Sequence, residues 1–142
     1  MSSLRIAEPL IAEIMREAVA AYPAECCGLL VGRGNVDDGI EVTRVVVSRN
    51  LAADARPDRF EVDPMVRFET MRAVEGTGED IVGHYHSHPN HPAKPSDTDL
   101  AMAYEPELAW LIVGVENGKP GPLHAFRLKP DASAFEAIAL NP

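Results

Sequence analysis

The sequence has only two cysteines and one tryptophan, and no apolar run approaches the length of a membrane span. A transmembrane helix needs about 20 consecutive apolar residues. Cys26 and Cys27 are adjacent, so they cannot link distant parts of a fold, which is typical of a reducing compartment. The opening segment, MSSLRIAEPL, lacks the apolar region of a signal peptide. These absences argue against secretion and membrane insertion, and we expect a cytoplasmic protein.

Basic residues are also scarce, since 13 Lys and Arg stand against 22 Asp and Glu, for a formal charge of −9. Nucleic acids and anionic membrane surfaces are bound by clustered basic residues that displace counterions. We therefore expect neither nucleic acid nor membrane among the partners. A protein partner remains compatible with this balance, because it can meet a local basic or apolar patch. The oligomeric state is not indicated.

The chain has 142 residues, of which 46% are hydrophobic, and these values predict one domain over residues 1–142. Apolar runs bounded by turn residues predict strands at residues 26–32, 40–47, 60–62 and 108–115, another from about residue 80, and a final edge strand at 135–140. The run at 108–115 is apolar on both faces, which indicates a central strand. Residues 50–59 are polar and predict a loop.

Two longer helices are predicted from their start signals. Pro9 opens the first, which ends at Pro23, and the dipeptide Asp63-Pro64 supplies an N-cap and first-turn proline for the second. We expect the second helix to turn a set of apolar side chains inward: Met65, Phe68, Met71 and Val74. Helices mixed with strands and hairpin-like turns predict an α/β or α+β sheet flanked by helices.

Four of the five histidines lie within the segment Gly83–Asp99, GHYHSHPNHPAKPSDTD. Side chains alternate along a strand, so His84, His86 and His88 are expected to project to one face. Two imidazoles two residues apart can aim their nitrogens at one point. A first-row metal ion suits that arrangement, and a nearby carboxylate would complete a three-ligand set with a fourth position left for water.

Other interpretations of this segment do not involve a metal. Ser96-x-x-Asp99 also matches a helix N-cap with an acidic third residue, which is purely structural. A histidine cluster can equally be a proton-sensitive surface.

Two other metal-dependent classes fit poorly: metallo-β-lactamase-like hydrolases require an acid where Asn90 stands, and cupins require a glutamate where residues 92–95 read Pro-Ala-Lys-Pro.

The order of these parts resembles a known signature. HSHP at residues 86–89, followed after six residues by SDTD at 96–99, is similar to the JAMM signature of catalytically competent MPN-domain (JAB-domain) metalloproteases. The six-residue spacer resembles that of small stand-alone prokaryotic members. A second marker of the family is a glutamate far upstream, between the first helix and an early strand, and Glu25 in PAECCGLLVG matches it.

The resemblance implies an MPN/JAB-like α/β (α+β) fold, with a central, mostly antiparallel mixed sheet flanked by helices, similar to cytidine deaminases. It implies one Zn²⁺ held by His86, His88 and Asp99, with a water whose pKa the metal lowers. Glu25 would then act as the general base and acid, and Ser96 would donate a hydrogen bond to the oxyanion. No other cofactor is implied.

The implied reaction is hydrolysis of the amide bond after the C-terminal Gly-Gly of a ubiquitin-like protein. For a small prokaryotic member, the implied substrate is a sulfur carrier of the ThiS or MoaD type, whose tail is trimmed or whose cysteine or other adduct is released. The alternatives are a zinc hydrolase of small amides and a non-catalytic MPN scaffold. The four retained residues, Glu25, His86, His88 and Asp99, argue against the scaffold. His84, His91 and the two cysteines are expected to be packed or solvated.

Overall fold

The structure is a computed structural model that describes residues 2–53 and 59–142. Part of the predicted loop at 50–59, residues 54–58, lies outside the described residues. Within them the chain forms seven strands and three helices, in this order: β1 (Ser3–Arg5), α1 (Glu8–Ala21), β2 (Cys27–Asn35), β3 (Gly39–Ser48), α2 (Pro64–Val74), β4 (Asp80–Pro89), α3 (Asp97–Ala101), β5 (Ala109–Glu116), β6 (Lys119–Leu128) and β7 (Phe135–Asn141).

The strands form one mixed sheet in the order β1-β3-β2-β4-β5-β6-β7, which closes into a barrel. The pairs β2–β3, β2–β4, β5–β6 and β6–β7 are antiparallel, and the pairs β1–β3, β1–β7 and β4–β5 are parallel. The mixed, mainly antiparallel sheet is confirmed. The predicted edge strand is wrong, because β7 pairs with β6 on one side and with β1 on the other.

The predicted strand at residues 60–62 is also wrong in its extent. Only Val62 pairs there, in an isolated antiparallel bridge with Asn50. The segment is therefore a short stretch that returns towards the end of β3 before α2 begins. Asp63 does cap α2 as predicted, accepting a hydrogen bond from the Met65 N–H at 3.0 Å.

The core lies between α1 and the sheet. α1 packs against β3, β5 and β6 and buries Ile14 and Ala18 completely. Residues 109–115 of β5 are all buried, which confirms that this apolar run forms a central strand. β4, which carries three of the histidines, pairs with β2 on one side and with β5 on the other. The backbone of the histidine strand is therefore fixed on both edges.

α2 does not bury the face that its sequence predicts. Met65, Phe68 and Met71 are 59%, 54% and 54% exposed, and only Thr70 and Val74 are buried. α2 packs chiefly against the single strand β4. A helix that packs against one strand buries a narrower face than a helix that packs against a whole sheet. Most of the apolar face of α2 therefore stays in contact with solvent.

Tyr85 ties β4 to α1 from the face opposite the histidines. It is completely buried, and its hydroxyl donates a hydrogen bond to Glu17 Oε2 at 2.5 Å. Gly28 lies opposite Tyr85 in the register of β2 and β4. A Cβ on Gly28 would lie 2.3 Å from the Tyr85 hydroxyl oxygen, so the glycine makes the room that the ring requires. Burial raises the pKa of the Glu17 carboxyl, although the hydrogen bond from Tyr85 opposes it.

Candidate active site

His86 and His88 project from the same face of β4, as strand alternation predicts. Their Nε2 atoms lie 3.1 Å apart. Both side chains are buried, with 0% and 5% of their surface exposed. The two imidazoles therefore meet at one point on a strand that is hydrogen-bonded on both edges.

Asp99 joins the two histidines from the first turn of α3. Its Oδ2 atom lies 3.4 Å from His86 Nε2 and 3.1 Å from His88 Nε2. Ser96 is the N-cap, and a full capping box forms: Ser96 Oγ accepts from the Asp99 N–H, and Asp99 Oδ2 accepts from the Ser96 N–H at 2.9 Å. The capping interpretation and the metal interpretation of Ser-x-x-Asp are therefore compatible, because the cap aims the carboxylate at the imidazoles.

The spacing of these three atoms fits a metal ion. Nitrogen and oxygen ligands of tetrahedral zinc lie about 2.0–2.2 Å from the metal, which places them about 3.3–3.6 Å from one another. The three observed separations are 3.1, 3.1 and 3.4 Å. His88 Nδ1 lies 2.9 Å from the Pro92 carbonyl, to which it donates, so the neutral ring presents the lone pair of Nε2 to Asp99. Two acceptors that face each other require a proton or a metal cation between them.

The electrostatics of the three side chains agree with their geometry. Burial lowers the pKa of His86. Burial acts to raise the pKa of Asp99, but hydrogen bonds with His86 and His88 outweigh it and hold that pKa well below its ordinary value. Burial acts to lower the pKa of His88, yet Asp99 and the Pro92 carbonyl outweigh it and raise that pKa. At neutral pH, Asp99 is therefore a carboxylate and His86 is a neutral imidazole. The negative charge of Asp99 attracts a cation, which is either a proton on His88 or a metal ion.

Glu25 lies next to this group, just before β2, with 5% of its surface exposed. One of its carboxylate oxygens and one nitrogen each of His86 and His88 all lie within 4.8 Å of one another. The structure thus brings all four predicted charged or ligating side chains together. It also presents an alternative ligand set, in which Glu25 replaces Asp99.

Two residues that the sequence did not single out hold the Glu25 segment in place. Ser87, between the two histidines, accepts a hydrogen bond from the Cys26 N–H at 2.8 Å, and its own N–H donates to the Cys26 carbonyl at 3.2 Å. Asn50 Nδ2 donates to the Glu25 carbonyl at 3.0 Å. For Ser87, the sequence gave one indication, a hydroxyl between the two histidines. Nothing in the sequence around Asn50 indicated its role.

Phe60 is a third contributor that sequence analysis missed. Its ring stacks on that of His86, with centroids 4.2 Å apart and planes 16° apart. Trp110 meets the edge of His86 at 5.5 Å. Among the described residues His86 Nδ1 has no hydrogen-bond partner, so aromatic packing orients this ring. No spacing in the sequence predicts that contact.

The remaining candidates are structural or peripheral. His84 packs edge-on against Trp110 at 4.3 Å rather than joining the cluster of His86, His88 and Asp99, and burial lowers its pKa to about 3, so it stays neutral. Cys26 and Cys27 are buried, and burial raises the pKa of each to about 12. They therefore remain thiols, as expected. His91 is exposed.

Two cavities adjoin the cluster of Glu25, His86, His88 and Asp99. The first, here the Glu25 cavity, has a volume of about 310 Å³ and is lined by polar side chains and prolines: Glu25, His88, His91, Pro92, Lys94, Pro95, Ser96 and Thr98. The second, here the Phe60 cavity, has a volume of about 410 Å³ and a largely apolar wall that includes Phe60, Val62, Met102, Leu108 and Trp110. Glu25 and His88 line the first cavity and Asp99 lines the second, so both cavities offer space next to the proposed reaction site.

Comparison with known families agrees with this arrangement. Residues 7–129 match the family described as prokaryotic homologs of the JAB domain. The chain belongs to this family. Sequence relatives include a desampylase of Haloferax volcanii, 35% identical over 105 residues (74% of this chain and 73% of the relative). Another is a CysO-cysteine peptidase of Mycobacterium tuberculosis, 28% identical over 135 residues (95% of this chain and 89% of the relative).

Solved structures extend the comparison to the fold. A solution structure of a Desulfitobacterium hafniense protein superposes with a TM-score of 0.81 at 33% identity, covering 96% of this chain and 90% of the other. The crystal structure of a JAB1/MPN domain protein from Archaeoglobus fulgidus has a TM-score of 0.56 at 18% identity, with 100% of both chains covered. The JAB/MPN fold is thereby confirmed. The further likeness to cytidine deaminases stays a prediction.

The names of the relatives also bear on the predicted enzyme class. Relatives of this chain are named desampylase, CysO-cysteine peptidase and probable TtuB-protein conjugate cleaving protease, which confirms the predicted enzyme class, a hydrolase of peptide or isopeptide bonds. Among the described residues, no helix has the length and apolar character needed to cross a membrane.

Proposed function

We propose that this JAB-domain protein is a zinc-dependent peptidase or isopeptidase that cleaves the amide bond after the C-terminal Gly-Gly of a ubiquitin-like protein, with a ThiS- or MoaD-type sulfur carrier as its substrate. The observation that carries the proposal is the convergence of His86 Nε2, His88 Nε2 and Asp99 Oδ2 to separations of 3.1–3.4 Å, with Glu25 beside them. The names CysO-cysteine peptidase and, at 32% identity, probable TtuB-protein conjugate cleaving protease support it.

His86, His88 and Asp99 would hold the zinc ion. Two imidazoles and one carboxylate are ligands typical of a catalytic zinc site, which keeps a fourth position open. When bound, zinc polarises the carbonyl of the substrate and acidifies water. The three proposed ligand atoms lie 3.1–3.4 Å from one another.

Glu25 would carry the proton through the reaction. It takes a proton from the attacking water and delivers it to the leaving nitrogen, because an amide bond does not break readily unless its nitrogen leaves protonated. Its position beside both histidines and in the wall of the Glu25 cavity supports this role. Glu25 is thus assigned as proton carrier and Asp99 as ligand.

Ser96 would stabilise the oxyanion that forms at the carbonyl. Its Oγ already accepts a hydrogen bond from the Asp99 N–H at 3.0 Å, and its O–H remains available to donate. The residue is exposed and lines the Glu25 cavity. A donor fixed by a helix cap needs little reorganisation as charge develops.

The Phe60 cavity would receive the tail of the carrier. A Gly-Gly tail has no side chains, so it can lie extended in a narrow groove whose specificity comes from neighbouring residues.

The proposal treats residues 1–142 as a single catalytic domain, in keeping with a hydrophobic cluster whose members run from Leu4 in β1 to Leu140 in β7.

The test offers the zinc-loaded protein three substrates: a ThiS-type carrier with a C-terminal extension, a carrier–cysteine adduct and small acyl-amino-acid amides. We expect cleavage immediately after Gly-Gly in the carriers, read by intact mass, and its loss in the presence of a chelator. Cleavage of the small amides alone would favour the zinc-hydrolase alternative. A protein that binds no zinc and cleaves none of the three would be a scaffold.

A further inference from the structure

We propose that the Glu25 cavity binds the leaving group and that Lys94 in it recognises a free α-carboxylate, so that the preferred leaving group is a single amino acid. A lysine side chain of a target protein or a long peptide extension would be a poorer one. The inference rests on the proposed function and specifies its substrate class. It assigns Lys94, which has no part in the metal cluster, as a specificity-determining residue.

The position of Glu25 identifies this cavity as the leaving-group side. Hydrolysis breaks the bond between the glycine carbonyl carbon and the nitrogen; water supplies the hydroxyl to the carbon and a proton to the nitrogen. The group that delivers this proton has to lie within reach of the nitrogen. Glu25 lines the polar cavity and does not line the apolar Phe60 cavity.

Lys94 is the one lysine or arginine among the described residues that line the Glu25 cavity. It is exposed, and it takes part in none of the ion pairs between described residues. Its ammonium group is therefore available to a ligand. An ammonium group beside a small polar cavity is suited to a carboxylate.

The loop that carries Lys94 is anchored to His88, one of the proposed zinc ligands. The Lys94 N–H donates to the Pro92 carbonyl at 2.8 Å, and the same carbonyl accepts from His88 Nδ1 at 2.9 Å. Ala93, between them, is 5% exposed. Earlier in the loop, the Asn90 N–H donates to the Val115 carbonyl of β5. The backbone at Lys94 is thus held at a fixed place relative to the reacting bond.

Glu25 and Lys94, which both line the cavity, complement an amino acid as it leaves. Its nitrogen takes the proton from Glu25, and its carboxylate, which is carried by the adjacent carbon, meets the ammonium of Lys94. The negative charge of Glu25 disfavours the reversed orientation. A volume of about 310 Å³ lies at the small end of ligand sites, which suits one amino acid better than a folded protein. An isopeptide-linked lysine offers no carboxylate next to the nitrogen, and a peptide extension offers a neutral amide there.

The experiment compares two versions of one substrate, a ThiS-type carrier whose Gly-Gly is followed by a single alanine, with either a free C-terminal acid or a C-terminal amide. We expect the zinc-loaded wild-type protein to cleave the acid with a kcat/KM about fivefold above that of the amide, as expected for an ion pair with an exposed lysine. In Lys94→Ala this ratio should fall to about one, mainly through a higher KM for the acid, while Lys94→Arg should keep it. Lys129→Ala, which changes a lysine outside the cavity, is the matched control.

The possible outcomes distinguish a failure of the Lys94 subsite from a failure of the proposed peptidase function. Equal cleavage of acid and amide by the wild-type protein, or a ratio that Lys94→Ala leaves intact, would overturn the inference and leave the peptidase in place. Failure to cleave either substrate would overturn the proposed function and the subsite with it. Because Lys94 is exposed, its variants are expected to fold, and circular dichroism spectra that match the wild type would show that they have.

Discussion

Glu25→Gln should lower kcat by about 10²–10⁴-fold while the protein still binds one zinc ion per chain. Glutamine keeps the size and hydrogen-bonding shape of the side chain but neither accepts the proton of the water nor delivers one to the leaving nitrogen. The measurements are turnover of a carrier with a C-terminal extension and zinc content after dialysis. Glu116→Gln, at the exposed end of β5, is the matched control and should behave as the wild type.

The same variant decides between the two ligand sets that the geometry presents. If Glu25 were a ligand together with His86 and His88, Glu25→Gln would lose its zinc along with its activity. Normal zinc content combined with unchanged turnover would instead remove Glu25 from the mechanism. Only retained metal together with lost turnover agrees with a proton carrier.

Asp99→Asn should abolish zinc binding at micromolar metal and reduce activity by more than about 100-fold, because even groups that only orient a metal ligand contribute 10- to 100-fold. The amide carries no charge to attract the cation, yet its oxygen can still accept from the Ser96 N–H, so α3 should stay capped. Zinc titration by calorimetry and the melting temperature with and without zinc measure the effect. The variant should lose the stabilisation that zinc gives to the wild-type protein.

Asp97→Asn is the control, because Asp97 lies two residues earlier in the same helix and is exposed, whereas Asp99 is 4% exposed. This control should bind zinc and turn over as the wild type does. Loss of zinc in Asp97→Asn with retention in Asp99→Asn would show that the wrong aspartate had been assigned as ligand.

The part of the site that sequence could predict is the part built by local geometry. Strand alternation predicts that His86 and His88 share one face, and Ser96-x-x-Asp99 predicts a helix cap. The structure shows that this cap turns Asp99 towards the imidazoles, whereas the choice of Asp99 as a ligand came from the family resemblance. Both patterns act over a few residues, so they can be read from the chain before it is folded. Glu25 lies 61 residues before His86, and only the family resemblance identified it.

The features that sequence did not predict depend on contacts between distant segments. Phe60 stacks on His86 from the stretch before α2, a region where a strand was expected and only an isolated bridge at Val62 forms. The barrel closes because β1, three residues long, bridges β3 and β7, and such a short strand has no pattern of its own. Met65, Phe68 and Met71 have the helical spacing of a buried face, but the position of α2 on β4 leaves them exposed.

The central claim is that two imidazoles and the Asp99 carboxylate bind one metal ion. It is tested most directly by anomalous diffraction at the zinc edge from crystals of the zinc-loaded wild-type protein. The account predicts a single peak within about 2.2 Å of His86 Nε2, His88 Nε2 and an oxygen of Asp99, with the Glu25 carboxylate outside bonding distance. A map without a peak between these side chains, or a peak bonded to Glu25 in place of Asp99, would contradict it.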